Sequence, residues 1–308
     1  MADTTTSMTD VLQGETVTGD FLLLLADREA LPNHPALHYG GSVDAQNSAT
    51  KRVPHIGLMG YDLPAAQGTE DNAQAATGFT DGSTDVSVVR QTKVYDSTDL
   101  FRMVNAARMG GPMLLAQDAM ASYAMRLTQL IAIAGASFTT SVGTTNVDMT
   151  VATALTAVGG LRVANVAATG GYMGLLHGYH WRDLIVDAGT GTIVGVQERN
   201  PGLASMSVLK GGAFSGTWLG VDWFVSNYCP ANTTDFEGSV FGLGGITWCD
   251  GRHGSVDLTA DQVLLGEGRV LFERERTANS ATTEYASHCY LGVSKALEAG
   301  ISILADGA

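Results

Sequence analysis

Apolar and polar positions divide the chain into a front part without core-forming patterns and a middle part with strong helical periodicity. The first twenty residues are mostly polar or small, and residues 31–84 are interrupted by four prolines and repeated glycines. Loops of more than about 12–15 residues without structure of their own are uncommon in compact domains. The first 95 residues are therefore predicted to be an extended arm and loop that other subunits order.

Two segments of this front part have the pattern of strands. Residues 53–61 are apolar around a central glycine, and residues 85–96 alternate in polarity. The alternation places a mostly apolar set on one side of the second segment, namely Val86, Val88, Arg90, Thr92 and Val94. We interpret the two segments as the legs of a long hairpin whose tip is the polar stretch 62–84.

The longest helical pattern of the chain follows directly. Asp96 and Ser97 suit the N-cap of a first segment, which glycines and a proline at 110–112 then interrupt. From Met113 the apolar positions resume along one broad face and continue to Ala134. This pattern predicts a helix of about 22 residues, or about 33 Å, as the backbone of the fold.

The rest of the chain predicts short elements in mixed order. Asp148 or Thr150 caps a helix that runs to Val166, and residues 171–178 form a buried strand before a helical turn at 181–186. Residues 190–268 are glycine-rich with short β-like runs, which favours a separate subdomain. Three closing strands are predicted, at 269–275, 284–293 and 300–304. The mixture of elements predicts an α+β fold.

Charge and composition exclude several classes of protein. The formal net charge is −14, from 31 acidic and 17 basic residues, which argues against a protein that binds nucleic acid through clustered cations. A hydrophobic content of 45% is sufficient for a sizeable core. No apolar run approaches the roughly 20 residues of a membrane span, and the acidic start lacks the basic region of a signal peptide.

The cysteines indicate a reducing compartment. Cys229, Cys249 and Cys289 are odd in number and have no C-x-x-C spacing. This arrangement fits free thiols better than a disulfide framework. The chain is therefore expected to be cytosolic when it is made.

Candidate chemistry in the sequence is weak, and we predict no catalytic, cofactor-binding or metal-binding residues. The chain has no phosphate-binding loop G-x-x-x-x-G-K-[ST] and no nucleophile elbow G-x-S-x-G. His177 and His180 have poor spacing for a metal site, even with Cys249, Asp250 and His253, so structural histidines are favoured. The acidic residues Glu273, Glu275 and Glu284 alternate with arginines, which is typical of a solvated or interface-facing strand edge.

Four segments, in this order, carry a resemblance to a known family. They are the extended loop at 53–95, the long helix at 114–134, the run GYMGLLHGYHWRDLIVD at 171–187 and the closing run at 270–303. The chain resembles the major capsid proteins of tailed double-stranded DNA bacteriophages, which have the Hong Kong 97-like fold. The resemblance implies an N-terminal arm (1–52), an extended loop (53–95), a peripheral domain with a spine helix (96–189), an axial domain (190–268) and a return to the peripheral sheet (269–308).

The same resemblance implies a role and partners. Many copies would form the pentamers and hexamers of an icosahedral head, assembled in the host cytoplasm around double-stranded DNA that is bound non-specifically. A separate scaffolding protein and a portal are implied as partners, and a decoration protein is left open. Ordering an extended loop costs about 1–2 kcal/mol per residue, so neighbouring subunits should bury its apolar side chains. The expected assembly contacts are Leu22, Leu23, Ile56, Leu58, Met59, Val86, Val88, Arg90 and Val94.

Two alternatives remain at this point. An encapsulin-like protein compartment would keep the fold and hold protein cargo instead of DNA. A glycan-binding β module would use an exposed surface of Trp218, Trp223 and Trp248, within an aromatic cluster that otherwise forms the small core of the glycine-rich region. Although Lys93 lies in the presumed loop, we predict no covalent cross-link, because nothing identifies an asparagine and glutamate partner.

Overall fold

The computed structural model describes residues 34–44, 49–56, 81–98, 112–164, 166, 171–189, 214–232, 235–253, 261–265, 268–277 and 282–306. The helices in this part of the chain are α1 (Pro112–Ala136), α2 (Val151–Val163) and α3 (Gly178–Gly189). The strands of the first half are β1 (Leu37–Asp44), β2 (Thr50–Ile56), β3 (Asp81–Ser87), β4 (Val89–Thr98), β5 (Ser141–Gly143) and β6 (Tyr172–Leu176). Those of the second half are β7 (Phe214–Trp218), β8 (Val221–Val225), β9 (Ala231–Asn232), β10 (Asp235–Phe241), β11 (Ile246–Arg252), β12 (Gln262–Leu265), β13 (Val270–Thr277), β14 (Thr282–Lys295) and β15 (Gly300–Asp306). The described elements therefore mix helices with strands, as the α+β prediction requires.

Helix α1 is the long helix that the sequence pattern predicts. Its 25 residues include Met120, Leu127 and Ile131, which are almost completely buried between the two large sheets. The Tyr123 hydroxyl donates a hydrogen bond of 2.7 Å to the carbonyl oxygen of Ser287. Near its C-terminal end the helix approaches β10 so closely that a Cβ atom on Gly135 would meet a serine side chain at 2.2 Å. The helix is thus the element that joins the two sheets.

The seven-stranded sheet has the order β5-β15-β10-β6-β8-β7, with β9 paired to β10. Its central strand β6 is buried along its whole length and runs parallel to β8. Met173 and Leu175 face α1, whereas Tyr172 and Leu176 belong to the cluster that α2 and α3 cover. Helices on both faces explain why this strand is a continuous apolar run. The strand predicted at 171–178 is confirmed, and so is the Thr150 N-cap of α2, whose hydroxyl accepts from the Thr153 amide.

The six-stranded sheet has the order β1-β11-β14-β13-β12, and β4 also pairs with β14. The long strand β14 pairs with β13 on one side, and with β11 and then β4 on the other. One face packs against α1 through residues such as Phe272, Tyr285 and Leu291. The opposite face, called the outer face below, is covered in part by the separate two-stranded sheet β2–β3.

Strand pairing divides the chain differently from the predicted domain boundaries. The segment 190–268 is predicted to form one axial domain, but its strand β10 lies in the seven-stranded sheet while β11 and β12 lie in the six-stranded sheet. The segment 96–189 is divided in the same way, because β5 and β6 leave the sheet that contains β4. The last strand, β15, pairs with β10 and β5 and does not return to the six-stranded sheet. Local patterns do not reveal long-range strand partners, so the predicted boundaries do not coincide with the sheets.

Candidate assembly surfaces

Strands β2 and β3 form a hairpin root, but its legs are shifted from those predicted at 53–61 and 85–96. Residues 81–84, which the prediction placed in the tip, belong to β3, and residues 89–96 of the predicted second leg belong to β4, because the long strand β14 pairs with them. Strands β2 and β3 pair antiparallel in a regular register from Thr50 opposite Ser87 to Ile56 opposite Asp81. Arg52 and Asp85 form an exposed ion pair of 2.9 Å across the two strands. Of the predicted contact residues, Leu22, Leu23, Leu58 and Met59 lie outside the described residues, as does most of the predicted tip, and Ile56 is the last residue of β2.

The hairpin root is anchored to its own subunit. Val53, Val86 and Val88 form a small buried cluster with Cys249 of β11, on the outer face of the six-stranded sheet. Val86 is completely buried and Val88 is 7% exposed. These two valines are predicted to contact neighbouring subunits, but the chain covers them by itself. The alternating pattern shows that one side of a strand will be buried and does not show which surface covers it.

Strand β4 continues from the hairpin into the six-stranded sheet and presents the remaining predicted contacts. Arg90, Thr92 and Val94 are exposed, and Val94 has 49% of its side chain accessible. The five positions predicted on one side are therefore split between a buried pair and an exposed group. Arg90 and Val94 remain available for contacts with another chain.

The opposite side of β4 is tied to α1 by polar contacts along the helix. Asp118 accepts hydrogen bonds from the Lys93 ammonium at 2.5 Å and from the Tyr95 hydroxyl at 2.6 Å. Arg126 donates to Gln91 at 3.1 Å. Burial, with the bond to Asp118, raises the pKa of Tyr95 above its ordinary value. Lys93 is thus engaged within its own subunit.

The acidic residues that the sequence singled out lie on the outer face as well. Glu275, Glu284 and Asp96 stand opposite one another on three neighbouring strands. Glu275 and Asp96 are exposed and Glu284 is half-buried. Like charges in directly opposed positions destabilise a sheet.

In the part of the chain that the structure describes, no group of three His, Cys, Asp or Glu side chains is placed to bind a metal ion.

The two histidines that were considered as metal ligands make core contacts. The His177 ring stacks on Phe236 at a centroid distance of 3.6 Å, and His180 Nε2 lies 3.2 Å from the carbonyl oxygen of Ala305. Burial lowers the pKa of both imidazoles below the ordinary value of 6.5. The contacts of His177 with β10 and of His180 with β15 indicate a structural role.

The tryptophans of the glycan-binding alternative do not form one surface. Trp223 is completely buried in the cluster beneath α2 and α3, whereas Trp248 is 9% exposed and belongs to the cluster around α1. Trp218 is half-buried and packs at the edge of the first of these clusters. The aromatic residues therefore belong to two separate cores, which removes the geometric basis of that alternative.

No helix among the described residues has the length and apolar character to cross a membrane.

Comparison with solved structures identifies proteins with the same architecture. A chain from the capsid of Ralstonia phage GP4 is 9% identical, with a TM-score of 0.56 over 92% of each chain. A chain from the capsid of cyanophage Pam1 is 13% identical, with a TM-score of 0.55 over 89% of this chain and 92% of that one. A chain from the capsid of cyanophage P-SCSP1u is 12% identical, with a TM-score of 0.53 over 88% and 87%.

The likeness lies in the structure and not in the sequence. No protein-family model matches this sequence, and no curated sequence matches it either. The matched structures nevertheless cover about nine-tenths of both chains. The two-sheet subunit with its joining helix and its hairpin therefore has the fold of phage capsid proteins.

Proposed function

We propose that this chain is a major capsid protein whose copies form the pentamers and hexamers of an icosahedral phage head. The observation that carries the proposal is the near full-length structural likeness to capsid chains, combined with a hairpin that pairs apart from both large sheets. The low sequence identity to these capsid chains does not count against the proposal. A shell subunit needs a shape and a set of contacts, and it does not need an invariant catalytic group. We infer a structural and non-enzymatic role.

The contacts between subunits are assigned to the front part of the chain and to the outer face. The arm, with Leu22 and Leu23, and the hairpin beyond Ile56, with Leu58 and Met59, would lie on adjacent subunits. Arg90 and Val94 would contribute from β4, where both are exposed. Closed symmetric assembly would then supply the contacts that the front part lacks within one chain.

The packaged double-stranded DNA would be bound weakly and without sequence preference. The chain carries a formal charge of −14, so its electrostatic attraction for phosphate is poor. A container that repels its contents allows DNA to move during packaging and release. A separate scaffolding protein and a portal belong to the same proposal, and the head would be assembled in the host cytoplasm.

The test removes the hairpin tip and keeps the hairpin root. Residues 62–80 are replaced by a short glycine-rich turn, which leaves the β2–β3 pairing between 50–56 and 81–87 intact. The variant should unfold in urea like the full chain but should form no shells in negative-stain micrographs. Normal shells from this variant would contradict the role of the tip.

The contents of the particles test the second half of the proposal. Particles isolated from an infected host should contain double-stranded DNA that resists nuclease until the shell is broken. Particles that contain folded protein cargo and no DNA would instead indicate the encapsulin-like alternative. A chain that sediments only as a monomer at all concentrations would contradict both.

A further inference from the structure

Three glycines lie on three neighbouring strands where the hairpin root rests on the six-stranded sheet. Gly40 is in β1, Gly251 is in β11 and Gly292 is in β14. Gly292 is paired with Cys249, and Gly251 is paired with Tyr290. Paired residues of neighbouring strands point to the same face of a sheet. The missing side chains would therefore project from the outer face, on which the hairpin lies.

A side chain at any of these positions would collide with a neighbouring residue. A Cβ atom on Gly292 would lie 2.5 Å from the carbonyl oxygen of Ser87 in β3. A Cβ on Gly40 would lie 2.6 Å from Val53 of β2. One on Gly251 would instead collide with Tyr290 of the neighbouring strand β14 at 2.7 Å, and Tyr290 in turn packs against the cluster beneath the hairpin. Glycine permits this close approach of one backbone to another layer. The hairpin therefore rests almost directly on the backbone of the sheet.

Few other contacts among the described residues hold the hairpin root in this position. Its strands form a sheet of their own and share no ladder with either large sheet. The described polar contacts from the hairpin root to the rest of the subunit include the Lys51 ammonium to the Ser42 carbonyl at 2.7 Å and the Thr84 hydroxyl to the Ala296 carbonyl at 3.4 Å. The apolar contact is a cluster of only four buried side chains. The height and angle of the hairpin consequently depend on how closely it can approach the sheet.

We propose that Gly40, Gly251 and Gly292 are positioning residues, which together form a glycine seat that sets the position and angle of the hairpin root on the six-stranded sheet. The seat is a property of a single chain. Its consequence for shells rests on the proposed function, because only a hairpin that reaches neighbours needs a defined direction.

Cys249 provides a built-in reporter of the seated hairpin. Its side chain is completely buried beneath Val53 and Val86. Burial raises the pKa of its thiol, so it should react slowly while it is covered. Cys229 and Cys289 are buried in the core around α1, away from the hairpin, and serve as internal references.

The decisive experiment is alkylation of the full chain with iodoacetamide, followed by mass spectrometry of each cysteine peptide. Gly292→Ala is the strongest variant because its nearest neighbour is a backbone atom, which cannot turn away as a side chain can. Overpacking of this kind should make Cys249 react about tenfold faster or more, with Cys229 and Cys289 unchanged. Gly159→Ala in α2 is the matched control, because a Cβ there has nothing within 4 Å.

Each outcome decides the proposal. An unchanged Cys249 rate in Gly292→Ala overturns the glycine seat. If all three cysteines become reactive, the variant has lost its fold, and Gly40→Ala decides instead, since the atoms nearest to its Cβ are side-chain ends. Because one of these is the Cys249 sulfur at 2.7 Å, this variant is scored by hydrogen exchange of the backbone amides in 50–56 and 81–87. Faster exchange confined to these strands supports the seat, and unchanged exchange overturns it.

Shell formation is measured separately from alkylation, so that failure of the glycine seat can be distinguished from failure of the proposed function. Selective exposure of Cys249 together with a loss of shells supports both. Selective exposure with normal shells keeps the glycine seat and contradicts the role of the hairpin in assembly. A wild-type chain that forms no shells contradicts the proposed function and leaves the alkylation result as the test of the seat.

Discussion

The two large sheets differ in how much of their surface the chain covers by itself. The seven-stranded sheet lies between α1 on one face and α2 and α3 on the other, and its central strand is buried throughout. Among the described residues, the six-stranded sheet has α1 on one face only, while its outer face carries the hairpin root and exposed residues such as Arg90, Val94 and Glu275. The first sheet is therefore a closed module, and the second is an open one.

This difference assigns stability and assembly to different parts of the molecule. Full burial of a large apolar side chain contributes about 1.5–3 kcal/mol, so a sheet covered on both faces is stabilised without a partner. The open sheet has polar contacts between β4 and α1 and a like-charged row across its outer face. Such a surface contributes less to the stability of the single subunit, and it leaves more area for contact with another chain.

The largest expected loss of stability comes from a substitution in the closed module. Trp223→Ala removes a completely buried ring that packs against Gly174, where a Cβ would already lie within 2.4 Å of it. The free energy of unfolding should fall by about 3–5 kcal/mol, measured by urea unfolding of the unassembled chain. Tyr179→Ala, at a position with 41% exposure on α3, is the control and should lose much less. Similar losses for both variants would contradict the closed-module description.

A smaller effect on stability should appear as the pH falls, and part of it should come from two histidines of the closed module. Burial lowers the pKa of His177 and His180, and at His180 the Ala305 carbonyl and nearby carboxylates oppose this effect only in part. The neutral imidazoles are thus favoured by folding, so their contribution to stability is complete above pH 6.5. It declines as the pH falls from 6.5 through the lower pKa values of the folded state. The free energy of unfolding should therefore be smaller at pH 5 than at pH 7.

His180→Gln should reduce this decline, as measured by urea unfolding between pH 7 and pH 5. Glutamine can still donate a hydrogen bond toward the Ala305 carbonyl, and it does not titrate. Met173→Leu is the control, because a volume-matched core change should lower stability equally at each pH and leave the slope unchanged. An unaltered slope in His180→Gln would show that acid acts elsewhere in the molecule.

The smallest effect on stability is expected in the open module. Val94→Thr keeps a β-branched side chain on an exposed position of β4, so the free energy of unfolding should change by less than about 0.5 kcal/mol. The yield of shells should nevertheless fall, because the variant removes apolar surface from a proposed contact. Val89→Thr, on the same strand with 58% exposure, is the matched control. Equal shell yields for the two variants would remove Val94 from the proposed contacts.

Elements with strong local patterns were predicted well from the sequence. The apolar face that predicted residues 114–134 corresponds to α1 at Pro112–Ala136, because its period matches the helical repeat whatever the helix packs against. The Thr150 cap and the buried strand β6 were found for similar reasons. A hairpin in the front part was predicted, but its paired strands are 50–56 and 81–87 and not the predicted legs 53–61 and 85–96.

The candidate contacts were predicted less well, since burial depends on partners that are distant in sequence. Val86 and Val88 have the same alternation as Val94, yet the first two lie on Cys249 and the third is exposed. Trp223 and Trp248 are close in sequence, but their side chains lie in different hydrophobic clusters because β8 and β11 belong to different sheets. A local pattern reports which side of an element is apolar and does not name the covering surface.

The sequence by itself determined the α+β character, the long helix and the acidic charge, all of which depend on residue types and short-range periodicity. The tertiary structure alone decided how the described strands divide between a closed and an open sheet. It also decided that Gly40, Gly251 and Gly292 meet beneath the hairpin, although they are separated by up to 252 positions. Strand partners and close approaches are set by packing across the whole chain, and no local window of sequence contains that information.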